Sequence, residues 1–150
     1  MNLEIGQILW LKIRYKLDEV AKEKHPMLIA NINKEFVEVI ALDKTFGKMQ
    51  NLYRAYNVYI NSENPKETVI FQDSYAQLNN KFTIENIEEL KKARKTEDKL
   101  SNTKLDDILL KYNIWHENNI IPEERIVHMD KNDILKINPD LRVRKFIGYR

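Results

Sequence analysis

The stretch that decides the fold reads His25-Pro26-Met27-Leu28-Ile29-Ala30, then Asn31 to Glu35, then Phe36-Val37-Glu38-Val39-Ile40-Ala41-Leu42-Asp43-Lys44-Thr45. Two runs rich in apolar and β-branched residues flank a short polar segment. That pattern predicts a strand, a turn and a second strand. In such an antiparallel pair, the start of one strand lies beside the end of its partner.

Side chains suited to phosphate chemistry stand at the two ends that this pairing brings together. They are Lys24, His25, Lys44, Thr45 and Lys48. Lysine can hold phosphate charge, histidine can transfer a proton, and a hydroxyl can donate to a phosphoryl oxygen. The pattern therefore predicts a phosphate-handling site at one rim of a sheet. The alternative is that His25 is an ordinary loop residue before a strand and that Thr45 is an ordinary turn residue.

The first predicted strand also alternates. One face carries Leu9, Leu11, Ile13 and Tyr15, and the other carries Ile8, Trp10, Lys12 and Arg14. Because side chains alternate across a strand, we expect the first set to lie in the core. Lys12 and Arg14 would then face solvent or a ligand.

The bulk composition indicates one domain, spanning residues 1–150. The chain has 150 residues, is 43% hydrophobic and 32% charged, and has a net charge of +2 and no cysteine. This charge is too small to identify a nucleic-acid-binding protein. The lack of cysteine excludes disulfides and thiolate metal sites. Neither a signal peptide nor a membrane-spanning run is visible, so we expect a cytoplasmic protein with no membrane partner.

Further short strands are predicted over residues 54–60, 68–71 and 75–78, and residues 15–24 read as a long loop or helical turn. Gly47 lies in a turn between strands, where a special backbone angle is expected. Several short strands with few helices between them indicate an α+β fold, and such strands commonly close into a small antiparallel β-barrel.

The second half of the chain is expected to be helical. Thr83 is expected to cap a helix from Ile84 to about Lys95. Thr103-x-x-Asp106 is expected to open a second helix, with Leu105, Ile108, Leu109 and Tyr112 on its apolar face. Asp130-x-x-Asp133 predicts a third helix, and residues 142–149 an edge strand. Residues 1–90 would form the barrel with its first helix, and 91–150 a helical C-terminal extension.

The sequence lacks the residues that several types of enzyme chemistry require. The three histidines, His25, His116 and His128, have no companion at metal-binding spacing, and no glycine-rich phosphate loop or acyl-transfer nucleophile motif occurs. Phosphodiester chemistry without a metal or cofactor remains. RNA can be cleaved by its own 2′-hydroxyl if the backbone is oriented, proton transfer is assisted and the developing charge is stabilised.

The order of these segments resembles the MazF/PemK-like toxin family. Gly6-Gln7-Ile8-Leu9-Trp10-Leu11 is similar to the family's G-D-I-V-W-V start, and His25-Pro26-Met27-Leu28-Ile29 to its R-P-A-L-V-I strand. Val39 to Thr45 looks like its third strand, which ends in Ser or Thr. The Thr45-x-x-Lys48 spacing, with Ser74 to Asn79 downstream, is also similar to the ToxN-type relatives.

The resemblance covers roughly residues 5–90 and implies an SH3-like barrel that acts as a metal-independent endoribonuclease. Products would carry 2′,3′-cyclic phosphate and 5′-hydroxyl ends. The family's basic residue before the strand-2 proline corresponds to His25, and its strand-3 hydroxyl to Thr45. Histidine in place of arginine exchanges a permanent charge for a titratable group. The tail from about residue 91 has no counterpart in a minimal member.

The leading hypothesis is an endoribonuclease toxin that cleaves single-stranded RNA, with a cognate protein or RNA antitoxin as partner and a homodimer as one expected assembly. The expected catalytic residues are His25, Thr45, Lys24 and Lys48, and the expected RNA-binding residues are Lys12, Arg14, Lys44 and Arg54. The alternative is a non-catalytic SH3-like barrel that binds nucleic acid or a protein partner.

Overall fold

The hairpin predicted from the opening stretch forms as expected. A computed structural model describes residues 3–13, 25–61, 73–79, 81–85, 88–91, 93–121, 123–129 and 134–137. Strand β2 spans His25–Ile32 and strand β3 spans Phe36–Lys44. They pair antiparallel from Met27 opposite Ala41 to Ile32 opposite Val37. Asn33 shapes the turn, because its side-chain oxygen accepts hydrogen bonds from the backbone N–H groups of Glu35 and Phe36.

Eight strands occur within the described part of the chain, and the fold is α+β. Besides β2 and β3 they are β1 (Ile8–Ile13), β4 (Asn57–Ile60), β5 (Ser74–Gln77), β6 (Lys81–Glu85), β7 (Glu123–Met129) and β8 (Ile134–Ile137). A 3-10 helix spans Met49–Tyr53, and the α-helices are α1 (Glu88–Lys91) and α2 (Asn102–Asn118).

The strand pairing connects the two halves of the sequence. Its order is β2-β1-β8-β7-β6-β3-β5-β4, and β3 pairs in addition with β2. Most pairs are antiparallel, but β1 with β8 and β6 with β7 are parallel. All pairings among β1 to β6 are antiparallel, as expected for residues 1–90, and the two parallel pairings involve β7 and β8 from the region that was expected to be helical.

The helical prediction for the second half is right for α2 and right in part for the helix expected from Ile84 to about Lys95, of which Glu88–Lys91 form α1. Thr83 does not cap a helix; it is buried in β6 and pairs with Glu38 of β3. Residues 134–137 form β8 rather than a helix, and Ser101, not Thr103, caps α2, its hydroxyl accepting from the Lys104 N–H at 3.3 Å. In each strand, backbone pairing with a distant partner outweighs the local helical pattern. The predicted elements at 15–24, 68–71 and 142–149 lie outside the described residues.

The first three strands are apolar on both faces, and each face has its own core. One cluster contains Leu9, Leu11, Met27, Ile29, Val37, Val39, Ala41, Phe82, Ile84, Leu90 and Ala93. The other contains Ile8, Leu28, Ala30, Ile40, Leu42, Val58, Ile60, Ala76, Leu78, Leu100, Leu105, Ile108 and Tyr112. The burial of Leu9 and Leu11 was expected. Ile8 is buried as well, because α2 covers the face that was expected to be exposed.

Gly6 lets the segment before α2 approach the start of β1. Its φ is +97°, and a Cβ built there would lie 3.0 Å from Leu105 Cδ2 and 3.2 Å from Lys99 Cβ. The Gly6 carbonyl accepts a 2.9 Å hydrogen bond from the Leu100 N–H. Further along, the Trp10 N–H donates to the Arg94 carbonyl, and the Thr96 N–H donates to the Ile8 carbonyl. Residues 94–100 therefore run beside β1 and deliver α2 to its face.

No helix in the described ranges is long and apolar enough to cross a membrane.

Candidate functional site

The far end of β3 carries a hydrogen-bonded group of polar side chains, here called the strand-end cluster (Asp43, Thr45, Lys48, Asp73 and Tyr75). Lys48 Nζ donates to Asp43 Oδ2 at 2.8 Å, and the Tyr75 hydroxyl donates to the same oxygen at 3.2 Å. β3 brings them together because beyond Ala41 it pairs with β5, which places Asp43 opposite Tyr75. Thus Asp43 neutralises the cation that was expected to hold phosphate.

Thr45 has a structural hydrogen bond in this cluster. Its N–H donates to the Asp73 carbonyl at 3.0 Å, and its hydroxyl donates to the same carbonyl at 3.4 Å. The residue is only 5% exposed. Its own carbonyl accepts from the Lys48 N–H at 2.8 Å, which closes a tight turn over Gly47 at φ +75°. The expected special backbone angle at Gly47 is confirmed, and the Thr45-x-x-Lys48 spacing is a turn.

His25 lies at the start of β2 and pairs with Leu11 of β1. It is half-buried and lies two residues before Met27, the first residue of β2 that pairs with β3. Antiparallel pairing therefore brings the start of β2 toward the end of β3, as the sequence predicts. The hydrogen-bond partner of the Thr45 hydroxyl is nevertheless Asp73 and not His25.

A polar groove adjoins the strand-end cluster. This amide groove has a volume of about 200 Å³ and is lined by Asn51, Tyr56, Asn57, Tyr75, Gln77 and Asn79. Tyr75 belongs to both features, since its hydroxyl donates to Asp43 and accepts from Asn51 Nδ2 at 3.1 Å. Groove and cluster are thus joined through one phenol.

The alternation of two paired strands creates the groove. Val58 and Ile60 of β4 and Ala76 of β5 point into the core beside α2. Asn57, Tyr75 and Gln77 are therefore on the opposite face, and Asn57 lies directly across from Gln77. Sequence reasoning missed this groove. Its signal was a row of amides and phenols at alternating positions, Asn57-x-Tyr59 and Tyr75-x-Gln77-x-Asn79.

Some of the groove's amides are fixed by internal hydrogen bonds. Asn57 Nδ2 donates to the Asn51 carbonyl at 2.8 Å, and Asn51 Nδ2 is held by Tyr75. Tyr56 packs edge-on against Trp115 of α2, with ring centroids 5.7 Å apart. These contacts hold the walls of the groove in place before any ligand arrives.

The predicted RNA-binding cations are only partly accounted for. Lys44 and Arg54 are exposed, Lys44 at the end of β3 and Arg54 at the end of the 3-10 helix. The predicted strand over 54–60 begins only at Asn57, because Arg54 to Tyr56 form a turn. Lys24, Arg14 and the side chain of Lys12 lie outside what the structure describes.

Large apolar side chains surround this turn region and face solvent. Phe46 is 82% exposed and Tyr53 is 92% exposed, and Met49 is also exposed. Met49 and Tyr53 are the first and last residues of the 3-10 helix that contributes Asn51 to the groove, and Phe46 precedes that helix. Exposed aromatic rings are suited to stacking on unpaired bases.

Across the described ranges, no group of three or more His, Cys, Asp or Glu side chains is arranged to hold a metal ion. Compared with protein-family models and with curated protein sequences, the chain matches none of them. The geometry of the strand-end cluster and the amide groove therefore carries the functional argument.

Proposed function

We propose that the protein is an endoribonuclease toxin that binds single-stranded RNA in the amide groove and cleaves it at the strand-end cluster. The observation that carries this proposal is the role of Tyr75, which joins an uncharged, amide-lined groove to a lysine–carboxylate pair. A base-sized polar groove beside a cationic group is the arrangement expected for a nucleotide held by base and phosphate.

The proposed fold is a small SH3-like barrel. The strand order supports it, because the pairings that begin at β2 return through β3 to β2. A barrel would enclose the apolar cluster that includes Leu11, Ile29 and Val39. The open pair β4–β5 would then extend from the barrel at the end of β3 and carry the groove.

In the proposed reaction, the RNA 2′-oxygen attacks the adjacent phosphorus and the bond from phosphorus to the 5′-oxygen breaks. The 2′-hydroxyl loses its proton and the departing 5′-oxygen gains one, leaving a 2′,3′-cyclic phosphate and a 5′-hydroxyl. His25 is the proton-transfer group, and Lys24 and Lys48 bind the phosphate charge. Because Thr45 is held on the Asp73 carbonyl, its proposed role is to fix the turn that presents Lys48.

Binding a phosphate requires a change in the ion pair. Lys48 is held by Asp43 at 2.8 Å, so an incoming phosphate must compete with a carboxylate. Both side chains are partly exposed, 42% for Lys48 and 26% for Asp43, and such a pair is weak enough to exchange. The Asp43–Lys48 ion pair thus fits the site without RNA, and binding of RNA would break it.

A second candidate is a non-catalytic barrel that binds single-stranded RNA. Two contacts favour it. The buried Thr45 hydroxyl donates to the Asp73 carbonyl, and Lys48 forms an ion pair with Asp43. It predicts salt-dependent retention of RNA without product.

The test is incubation of the purified protein with single-stranded RNA in EDTA, with analysis of the product ends. We expect cleavage with cyclic-phosphate ends by the wild type and by Thr45→Ser. A Thr45→Ala, His25→Ala double variant should lose at least about 100-fold in rate, the scale of a general acid–base contribution. Intact RNA with the wild type, or equal cleavage by the double variant, would refute the enzyme proposal. Retention of uncut RNA would favour the binding protein.

The toxin proposal also implies a cognate antitoxin, either protein or RNA, and allows a homodimer. Growth arrest on expression, relieved by the Thr45→Ala, His25→Ala variant, is the expected cellular result.

A further inference from the structure

We infer that the amide groove binds one unpaired nucleobase and so sets the sequence preference of the protein. This inference rests on the proposed function, because it names which part of the RNA occupies the groove. The groove itself can be tested without cleavage.

The lining selects a base over a phosphate. The groove is lined by four amide side chains and two tyrosines, and none of these side chains carries a charge at neutral pH. A phosphate site would require lysine, arginine or a cluster of backbone N–H groups. A nucleobase edge presents donors and acceptors side by side, and an amide matches both with its oxygen and its NH₂ group.

Two of the amides are available to contact such an edge. Within the described part of the chain, the side chains of Gln77 and Asn79 make no hydrogen bond, whereas Asn51 and Asn57 are tied into the groove wall. Both available residues come from the end of β5 and the residues that follow it. The groove therefore has walls held by internal hydrogen bonds and two amides that can bind a ligand. A site whose walls are already ordered loses little conformational entropy when a polar ligand binds.

The size and surroundings fit one base. Pockets for drug-sized ligands measure roughly 300–1,000 Å³, and this groove measures about 200 Å³. Tyr56 supplies an aromatic ring at the wall, and its edge contact with Trp115 fixes its orientation.

The groove also has a defined direction. The Tyr75 hydroxyl is one hydrogen bond from Asp43 Oδ2, the oxygen that pairs with Lys48. A base in the groove would therefore have its backbone beside the strand-end cluster. Recognition of the base and binding of the neighbouring phosphate would occur in one nucleotide step.

The test begins with the four ribonucleosides, which lack phosphate, titrated into the ¹⁵N-labelled protein. We expect at least one nucleoside to shift the side-chain amide signals of Gln77 and Asn79, and the signals of Gln50 to stay. Gln50 is a matched control because it is exposed on the 3-10 helix and is not part of the groove lining. If no nucleoside moves either amide signal, the inference is overturned, whether or not the protein cleaves RNA.

A second measurement uses four homopolymeric RNA oligonucleotides with the wild type, Gln77→Ala, Asn79→Ala and Gln50→Ala. We expect the preference among the four bases to fall by about five- to tenfold in each groove variant, the scale of a lost hydrogen bond, and to be unchanged in Gln50→Ala. Wild-type binding or cleavage with an unchanged preference in both groove variants would refute the base site in the groove and leave RNA cleavage at the strand-end cluster standing. A nucleoside shift without any RNA cleavage would refute the nuclease and support the base site.

Discussion

Asp43 is the residue that controls charge at the strand-end cluster. It accepts hydrogen bonds from Lys48 and Tyr75 on one oxygen and from the Lys44 N–H on the other. In the sequence it is merely the residue between the expected core and Lys44. Its effect on Lys48 could not be predicted from sequence, because it depends on the turn from Thr45 to Lys48, which brings the lysine back to the end of β3.

An Asp43→Asn substitution should release Lys48 to bind phosphate. We expect affinity for single-stranded RNA to rise by about three- to tenfold at low salt and the gain to vanish at high salt, where charges are screened. The folded state should lose less than about 1 kcal/mol, because the pair is partly exposed. Fluorescence anisotropy with labelled RNA at two salt concentrations measures the effect.

The control for that experiment is Asp98→Asn, which makes the same change in net charge at an exposed position. If both variants gain affinity equally, the effect comes from the overall charge and the Asp43–Lys48 pair has no special role.

At the scale of elements, the hairpin was predictable and β6 was not. β2 and β3 carry apolar runs on either side of a short polar turn, so local pattern and tertiary pairing agree. Residues 81–85 carry a pattern that fits both a helix and a strand. These residues form a strand because Phe82 pairs with Val39 and Ile84 pairs with Val37 of β3. The sequence of residues 81–85 alone does not indicate this pairing.

The amide groove was missed for a related reason. Asn57, Tyr75 and Gln77 are unremarkable in sequence, since polar residues on alternate positions of a strand usually face solvent. They become a site only because β4 and β5 pair and the 3-10 helix adds Asn51 beside them. By contrast, the apolar face of α2 was predicted correctly, because Leu105, Ile108 and Tyr112 are buried at helical spacing.

The docking of α2 can be tested through two glycines with similar backbone angles. Gly6→Ala and Gly47→Ala both place a Cβ at positive φ, which costs about 1–2 kcal/mol. Only at Gly6 would the new Cβ meet Leu105 and Lys99, whereas nothing lies within 4 Å of it at Gly47. We expect Gly6→Ala to lower the melting temperature clearly more than Gly47→Ala. Equal losses would show that α2 does not pack closely on Gly6.

At the scale of the whole molecule, charge is nearly balanced, with a net charge of +2. RNA affinity should therefore rely on bases more than on phosphates. If Lys24 and Lys48 contact phosphate together with Lys44 and Arg54, the logarithm of the binding constant should fall with the logarithm of salt concentration with a slope of about −2.8.

Lys44→Gln should reduce the steepness of that slope by about 0.7, because it removes one phosphate contact. Binding constants measured over a series of salt concentrations give both values. A slope several times steeper would indicate a basic surface among residues that the structure does not describe.

The parallel pairing of β1 with β8 has a consequence for how the molecule is made. Lys12 and Ile13 pair with Ile134 and Leu135, so one of the earliest strands borders one of the latest. Contacts between residues so far apart in sequence form slowly, since a long chain must close before they contribute. During synthesis on the ribosome, the hairpin of β2 and β3 can form early, whereas β1 can pair with β8 only after β8 has been synthesised. The sheet is therefore completed only once residues 134–137 have left the ribosome.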